Sequence, residues 1–394
     1  MAWTSKPKNL ATTDTVGHVS SDPNIIGRVP ANTSVRFTPL DLYGATARCS
    51  HLSFVNPSIS TAESDTVKKL VEPHVDDISH DFAILASADK LKDFVKSYFT
   101  GTVATGLAYL AMINESYVWS DHFENAGGGK ANHTRKPDFV FGGHGVGVAL
   151  MESKGSRSGT LAGFDRDVLD GYTSQIEPHL GSTVGGAVAT HGYCIGAWLK
   201  STTKAELRVH YTKVPATPGG TGARPPLATI QRHNFATAFS LAHSPQLGAE
   251  LRLGESRYSR IGFLRTHWRG RYWLTYIGLG MSDLRRYVEL DFELLYFFGM
   301  NASSLPWRGP LIFAVEETVA VAALRTFLGR DRSSGAEEVS PLEEGVRRAA
   351  GEHRGEEDGE GAVFPDGLAI LDRARIKLKF EPVFWDVRAA RLLL

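Results

Sequence analysis

The chain reads as an α/β protein: a mixed sheet flanked by helices, with an N-terminal accessory segment before it and a mainly helical C-terminal accessory segment behind it. Three observations predict this. An apolar helical period runs from about residue 89 to 113, three short strand-like runs follow, and an amphipathic helix then separates them from two more strand-like runs. The order is α, β, β, β, α, β, β. At 394 residues the chain exceeds one ordinary domain of roughly 150 residues. We expect an accessory segment over 1–75, a central domain over 76–214 and an accessory domain over 227–394.

In the first helix, "DKLKDFVKSYFTGTVATGLAYLAMI" places Leu91, Phe94, Val95, Tyr98 and Phe99 at helical spacing and then becomes apolar all round, as a helix entering a core does. Its apolar part is shorter than the roughly 20 residues that span a bilayer. "SYVWSDHF" is the first strand and "GGGKANHTRK" a loop. "DFVF" and "GVALMES" are paired strands around "GGHGVG", whose glycines suit a tight connection with positive φ. "TLAGFDRDVLDGYTSQIEPHL" spaces Leu161, Phe164, Val168, Tyr172, Ile176 and Leu180 three or four apart, an amphipathic helix ending near Gly181. "AVATHGYCIGAWL" and "ELRVHYTKV" are the last two strands.

Outside this core, "SVRFTPLDLYG" and "CSHLSFV" predict short strands and turns before residue 75. "PATPGGTGARPP" is a linker. Beyond it we expect helices near "FATAFSLAHSPQLGAEL", in "VELDFELLYFFGM" and in "LIFAVEETVAVAALRTFL", and a mobile charged insert over 329–362.

Lys+Arg and Asp+Glu balance at 43 each, which excludes a wholly basic nucleic-acid-binding protein and confines any polyanion surface to a local patch. Cys49 and Cys194 alone exclude a disulfide framework or a cysteine-rich zinc site, and point to the reducing cytoplasm. The first residues carry lysines with no apolar run after them, so no secretory signal is expected.

The chemistry concentrates in residues 135–156, "RKPDFVFGGHGVGVALMESKGS". Asp138 opens one strand and Glu152 closes the next, so a hairpin brings them opposite one another. Strand alternation puts Glu152 and Lys154 on one face with Ser153 pointing away. Two carboxylates can hold a hard divalent ion and an amine can position water, the minimum for hydrolysing a phosphodiester. A second Pro-Asp pair, Pro365 and Asp366, precedes "GLAILDRARIKLKF", where no acid stands two before a lysine. That pair reads as structural.

Pro137, Asp138, Glu152 and Lys154 resemble the PD-(D/E)XK signature of the restriction-endonuclease-like nuclease superfamily, over residues 90–214. The resemblance implies a restriction-endonuclease-like mixed sheet in which Asp138, Glu152 and the Ser153 carbonyl hold Mg²⁺ (or Mn²⁺) and Lys154 orients or activates the attacking water. The family often adds an acid from the first helix. Here Glu115, just past the apolar stretch, is the substitute, with Glu124 behind it, and Gln175 matches a glutamine that some members carry after the lysine. The implied activity is that of a Mg²⁺-dependent DNA endonuclease leaving 5′-phosphate ends, in host defence or restriction. Two alternatives stay open: a metal-dependent RNase, and a catalytically inactive nuclease-fold scaffold or nucleic-acid-binding subunit of a larger assembly.

Between residues 251 and 290 eight arginines stand against Glu255, Asp283 and Glu289. Within it, "RTHWRGRYW" interleaves Arg265, Arg269 and Arg271 with Trp268, Tyr272 and Trp273, which suits either phosphate contact with base stacking or an ordinary strand with solvated arginines. Arg157 and Arg166 are candidates to steady a backbone phosphate near the metal, or are solvated. His144 reads as a loop histidine, and His191 and Cys194 as packing residues. Cutting both strands with one centre per chain implies a homodimer or a partner protein, with the apolar segment after Val288 as the interface.

Overall fold

The structure, a computed structural model, describes residues 3–15, 17–19, 25–52, 57–143, 147–214, 227–256, 260–276, 310–328 and 359–393. It divides into two compact units, 1–52 with 66–234, and 53–65 with 235–394.

In the first unit the chain runs β1 (Lys8–Asp14), β2 (Ser34–Phe37), α1 (Pro39–Cys49), the end of α2 (Pro57–Val71) from Thr66 onward, α3 (Asp93–Asn114), β3 (Tyr117–His122), α4 (Phe123–Ala126), β4 (Phe139–Gly143) and β5 (Gly147–Ser156). Then come α5 (Leu161–Gly171), the two-residue strands β6 (Thr183–Val184) and β7 (Ala187–Val188), β8 (His191–Trp198) and β9 (Glu206–Tyr211). Seven strands form one mixed sheet in the order β2-β1-β9-β8-β5-β4-β3. β5 pairs parallel with β8 and antiparallel with β4, and β9 pairs antiparallel with β8.

Helices cover both faces of this sheet, which is why the middle of β5 and all of β8 are buried runs rather than half-polar alternations. Glycines let the layers close. A Cβ on Gly155 of β5 would lie 2.6 Å from the Ala104 Cβ of α3, on one face, and a Cβ on Gly196 of β8 would lie 2.5 Å from Val168 Cγ2 of α5, on the other. The expected order from α3 through β9 is found. The expected helical face of α3 shifts, however: Phe94 is 78% and Tyr98 48% exposed, and the buried stripe begins at Phe99.

The N-terminal residues are not a separate accessory segment. β1 lies between β2 and β9 and buries Leu10, covering an edge of β9 that would otherwise stand open to solvent. α1 was unexpected, yet its signal was local: Thr38 and Asp41 form a capping box, with Pro39 in the first turn.

The second unit carries α6 (Ala228–Leu241) from Phe235 onward, then α7 (Pro245–Leu253), β10 (Arg260–Trp268), β11 (Arg271–Tyr276), β12 (Leu311–Glu316) and α8 (Glu317–Leu328). β13 (Gly361–Val363), β14 (Leu368–Asp372), β15 (Phe380–Asp386) and β16 (Arg391–Leu393) complete it. Its strands make an antiparallel sheet in the order β13-β14-β12-β11-β10-β15-β16, so the expected mainly helical character is corrected. "LIFAVEETVAVAALRTFL" contains a fully buried strand and then a helix. The switch falls where the Glu316 carboxylate accepts the Val319 amide at 2.9 Å, and a short apolar run alone cannot tell strand from helix.

Asp366 is 1% exposed and accepts the Leu368 amide, the structural role expected of the second Pro-Asp pair. Gly361 and Ala362, expected within the insert, belong to β13. His144 in its turn, the linker over 215–226, the apolar segment over 288–300 and residues 329–358 of the insert lie outside the described residues. No helix among the described residues is long and apolar enough to cross a membrane.

Candidate active site

β4 and β5 pair Phe139 with Met151, so one step further Asp138 faces Glu152. β5 and β8 pair Glu152 with Cys194 and Lys154 with Gly196. The expected alternation is realised. Ser153 faces α3, its hydroxyl 3.0 Å from Thr105 Oγ1, while Glu152 and Lys154 lie under α5. The cover over them is Gly171, where a Cβ would lie 2.8 Å from Lys154 Cε and 2.9 Å from Cys194 Sγ.

Asp138 is half-buried, and its Oδ2 accepts the Ser153 amide at 2.8 Å and the Ser153 hydroxyl at 2.7 Å. Among the described residues its Oδ1 has no hydrogen-bond partner. Glu152 is 3% exposed. Lys154 donates to Glu152 Oε1 at 2.5 Å, and Oε2 is buried without a hydrogen-bond partner. Burial, and then the negative charge of Asp138, pushes the Glu152 carboxyl up to about 7 even though Lys154 and Gln175 oppose the shift. Burial would lower the Lys154 amine, but its hydrogen bond to Glu152 and the surrounding negative charge hold it above its ordinary value.

Gln175 joins this group from an unusual place. After α5 the chain continues as one π turn over Tyr172–Ile176 and a 3₁₀ turn over Glu177–His179. The wide turn carries Gln175, which accepts from Lys154 Nζ at 2.9 Å and donates to the Lys136 carbonyl at 2.9 Å. Single π turns inside helices recur at functional sites because they re-aim one side chain. Lys154 is thus held between a carboxylate and an amide oxygen, with 30% of its side chain exposed.

The donors that could meet a hard cation here are all oxygens: Asp138, the unpartnered Oε2 of Glu152, and the carbonyl of Ser153, the residue after Glu152. Mg²⁺ commonly takes one or two carboxylates and completes its shell with water and substrate phosphate, so this set fits it. Among the described residues no group of three or more His, Cys, Asp or Glu side chains could hold a metal ion.

Glu115 is not a third ligand. It ends α3, and its carboxylate accepts the Ala31 and Asn32 amides at 2.8 Å each and Asn32 Nδ2 at 2.9 Å. It lines a small cavity with Tyr193 and Ile195, the neighbours of Cys194 that point to the opposite face of the sheet from Glu152. Glu124 is exposed in α4.

Arg157 is also inward: its guanidinium is 1% exposed, 2.8 Å from Asp89, and donates to the Leu199 carbonyl. Arg166 is exposed and donates to the Ala162 carbonyl of its own helix at 3.4 Å. Arg265, in the second unit, is taken up by Glu317 at 2.7 Å, Glu381 at 3.0 Å and the Tyr272 ring at 3.5 Å. Arg269, at φ 50° in the β10–β11 turn, lies over Trp268, and Arg271 opens β11. Trp268 and Trp273 are buried in the core of that sheet, so they are not a stacking platform. His191 is buried against the Tyr117 hydroxyl and burial pushes it down to about 3, while burial and then the Glu152 charge hold the Cys194 thiol well above its ordinary value. Sequence reasoning missed the Ser153 hydroxyl as the tether of Asp138. The signal was available only as a serine between Glu152 and Lys154.

Compared with known proteins, the chain matches no family model, no curated protein and no solved structure.

Proposed function

We propose that the first unit is a divalent-metal-dependent nuclease of the PD-(D/E)XK type that hydrolyses phosphodiester bonds, with DNA as its substrate. The observation that carries the reading is the buried Glu152 oxygen left without a partner beside Asp138 and Lys154. A buried carboxylate oxygen without a hydrogen bond is costly, and a cation is the partner that two neighbouring acids favour. The element order α3, β3, β4, β5, α5, β8 supports the same reading, because it is the order of that superfamily's core.

Asp138 and Glu152, with the Ser153 carbonyl, would hold Mg²⁺ (or Mn²⁺), which when bound neutralises phosphoryl charge and makes water a better nucleophile. The rest falls to the chain itself. Ser153 fixes the carboxylate of Asp138, so little reorganisation is needed on binding. Lys154 orients the attacking water, and Gln175 holds the amine in place as it leaves Glu152. With its carboxyl raised to about 7, Glu152 would be ionised and able to hold the cation above that pH.

The second reading, a nuclease fold kept as a scaffold, is favoured by two observations: Lys154 closes on Glu152, and the first helix contributes no acid to the site. Supercoiled plasmid and labelled RNA, incubated with wild-type or Glu152→Ala protein in Mg²⁺, Mn²⁺ or EDTA, separate the readings. Metal-dependent cutting of DNA that the variant loses is the expected result. Cutting of RNA alone moves the substrate class, and no cutting of either leaves the scaffold.

A further inference from the structure

The loop that leads into Asp138 makes little use of its own charges among the described residues. Residues 130–136, "KANHTRK", hold Lys130, Arg135 and Lys136 and no acid, and every one of the seven is exposed. Among the described residues neither lysine ammonium has a carboxylate partner, and Arg135 has only Asp170 at 3.9 Å, with side chains 67% and 75% exposed. A pair so long and wet binds weakly, so it leaves the guanidinium available.

The backbone of this loop, by contrast, is held at several points. His179 is 1% exposed and bridges it: Nδ1 accepts the Lys130 amide at 3.1 Å and Nε2 donates to the Arg135 carbonyl at 3.1 Å. One accepting and one donating nitrogen require the neutral ring, which burial favours by lowering the His179 pKa. Gly129 donates to the Thr183 carbonyl at 2.9 Å, and Gly127, Gly128 and Gly129 supply three successive positive φ angles that the turn into the loop requires. At its far end Gln175 donates to the Lys136 carbonyl while accepting from Lys154. Side chains that are solvated and a backbone that is fixed describe a surface prepared for an external anion, because most of the ordering entropy is spent in folding.

We propose that Lys130, Arg135 and Lys136 form the track for the phosphodiester backbone flanking the scissile phosphate. Lys136 stands two residues before Asp138, at most about 7 Å between their Cα atoms, so its long side chain meets a phosphate next to the one at the candidate metal ligands. Gln175 ties the track to the site in one step. The identification of the flanking phosphate rests on the nuclease reading; the binding of a phosphodiester chain by this loop does not.

The test is direct binding in EDTA, where cleavage plays no part. Fluorescently labelled duplex DNA, single-stranded DNA and single-stranded RNA of one sequence are titrated with wild type, with Lys130→Ala/Arg135→Ala/Lys136→Ala, and with the charge-preserving Lys130→Arg/Arg135→Lys/Lys136→Arg, at several salt concentrations. The anchors are backbone groups, so both triple variants keep the wild-type melting temperature. The alanine variant should bind about tenfold or more weakly, with a salt slope shallower by about 0.9 per lost contact on duplex and about 0.7 on single strands. The charge-preserving variant should restore both quantities. Equal affinity and slope in wild type and alanine variant, or no binding by the wild type at 50 mM salt, overturns the proposal. Loop-dependent binding without cleavage by any metal would keep this track and remove the nuclease; cleavage with loop-independent binding would do the reverse.

Discussion

At the residue scale the decisive contrast is between charges that are used and charges that wait. Glu152 ionises near 7 in the folded chain against an ordinary 4.5, so the folded metal-free protein binds more protons than the unfolded chain between those values. Its contribution is therefore present at low pH and is lost as pH rises through about 7, on the order of 3 kcal/mol. In EDTA, melting temperature should fall from pH 5.5 to 8 more in wild type than in Glu152→Gln. Added Mg²⁺ should raise it more at pH 8 than at pH 6, and not at all in the variant. Arg157 makes the opposite case. Arg157→Ala removes a buried guanidinium from Asp89 and Leu199 and should cost about 1–3 kcal/mol in thermal unfolding, with nucleic-acid affinity unchanged. Gln175 touches Lys154 rather than a reacting atom and is a positioning residue. Gln175→Ala should lower the proposed cleavage about 10- to 100-fold without changing the metal dependence of melting.

At the scale of elements, the site is set by how closely two helices approach one sheet. On the α3 side a Cβ at Gly155 would meet the Thr100 carbonyl at 2.8 Å, and backbone cannot step aside cheaply. Gly155→Ala should destabilise by about 1–3 kcal/mol on chemical denaturation. Gly101, in the same helix, faces open space, so Gly101→Ala should stabilise by about 0.5–1 kcal/mol through helix propensity alone. These two substitutions have the same chemistry and opposite signs, and only the packed structure tells them apart. The strands β3, β4, β5, β8 and β9 and the helices α3 and α5 were legible because each carries its own period or turn residues. The π turn was not: "GYTSQIEPHL" continues a helical period, and nothing in it marks the wide turn that carries Gln175, at whose end Ile176 packs over Gly192 of β8.

At the scale of the whole molecule, the N-terminal residues belong to the sheet that carries the site. Trp3 is buried against Phe37, Tyr43 and Phe82, and β1 completes the sheet beside β9. A fragment of residues 76–214 should therefore aggregate on size exclusion, with β9 left as an open edge, whereas the full chain should stay monodisperse. The sequence by itself determined what is local. Alternation decided that Glu152 and Lys154 share a face and that Ser153 does not, and the spacing of apolar residues decided the order from α3 through β9, because both follow from backbone geometry over a few residues. Tertiary structure decided what is distant: that Glu115 serves the other face of the sheet, that Arg157 and Arg265 are taken up by acids far along the chain, and that the second unit is an antiparallel sheet. Those outcomes depend on which strand edges and buried charges find partners across the chain. No local period encodes that pairing.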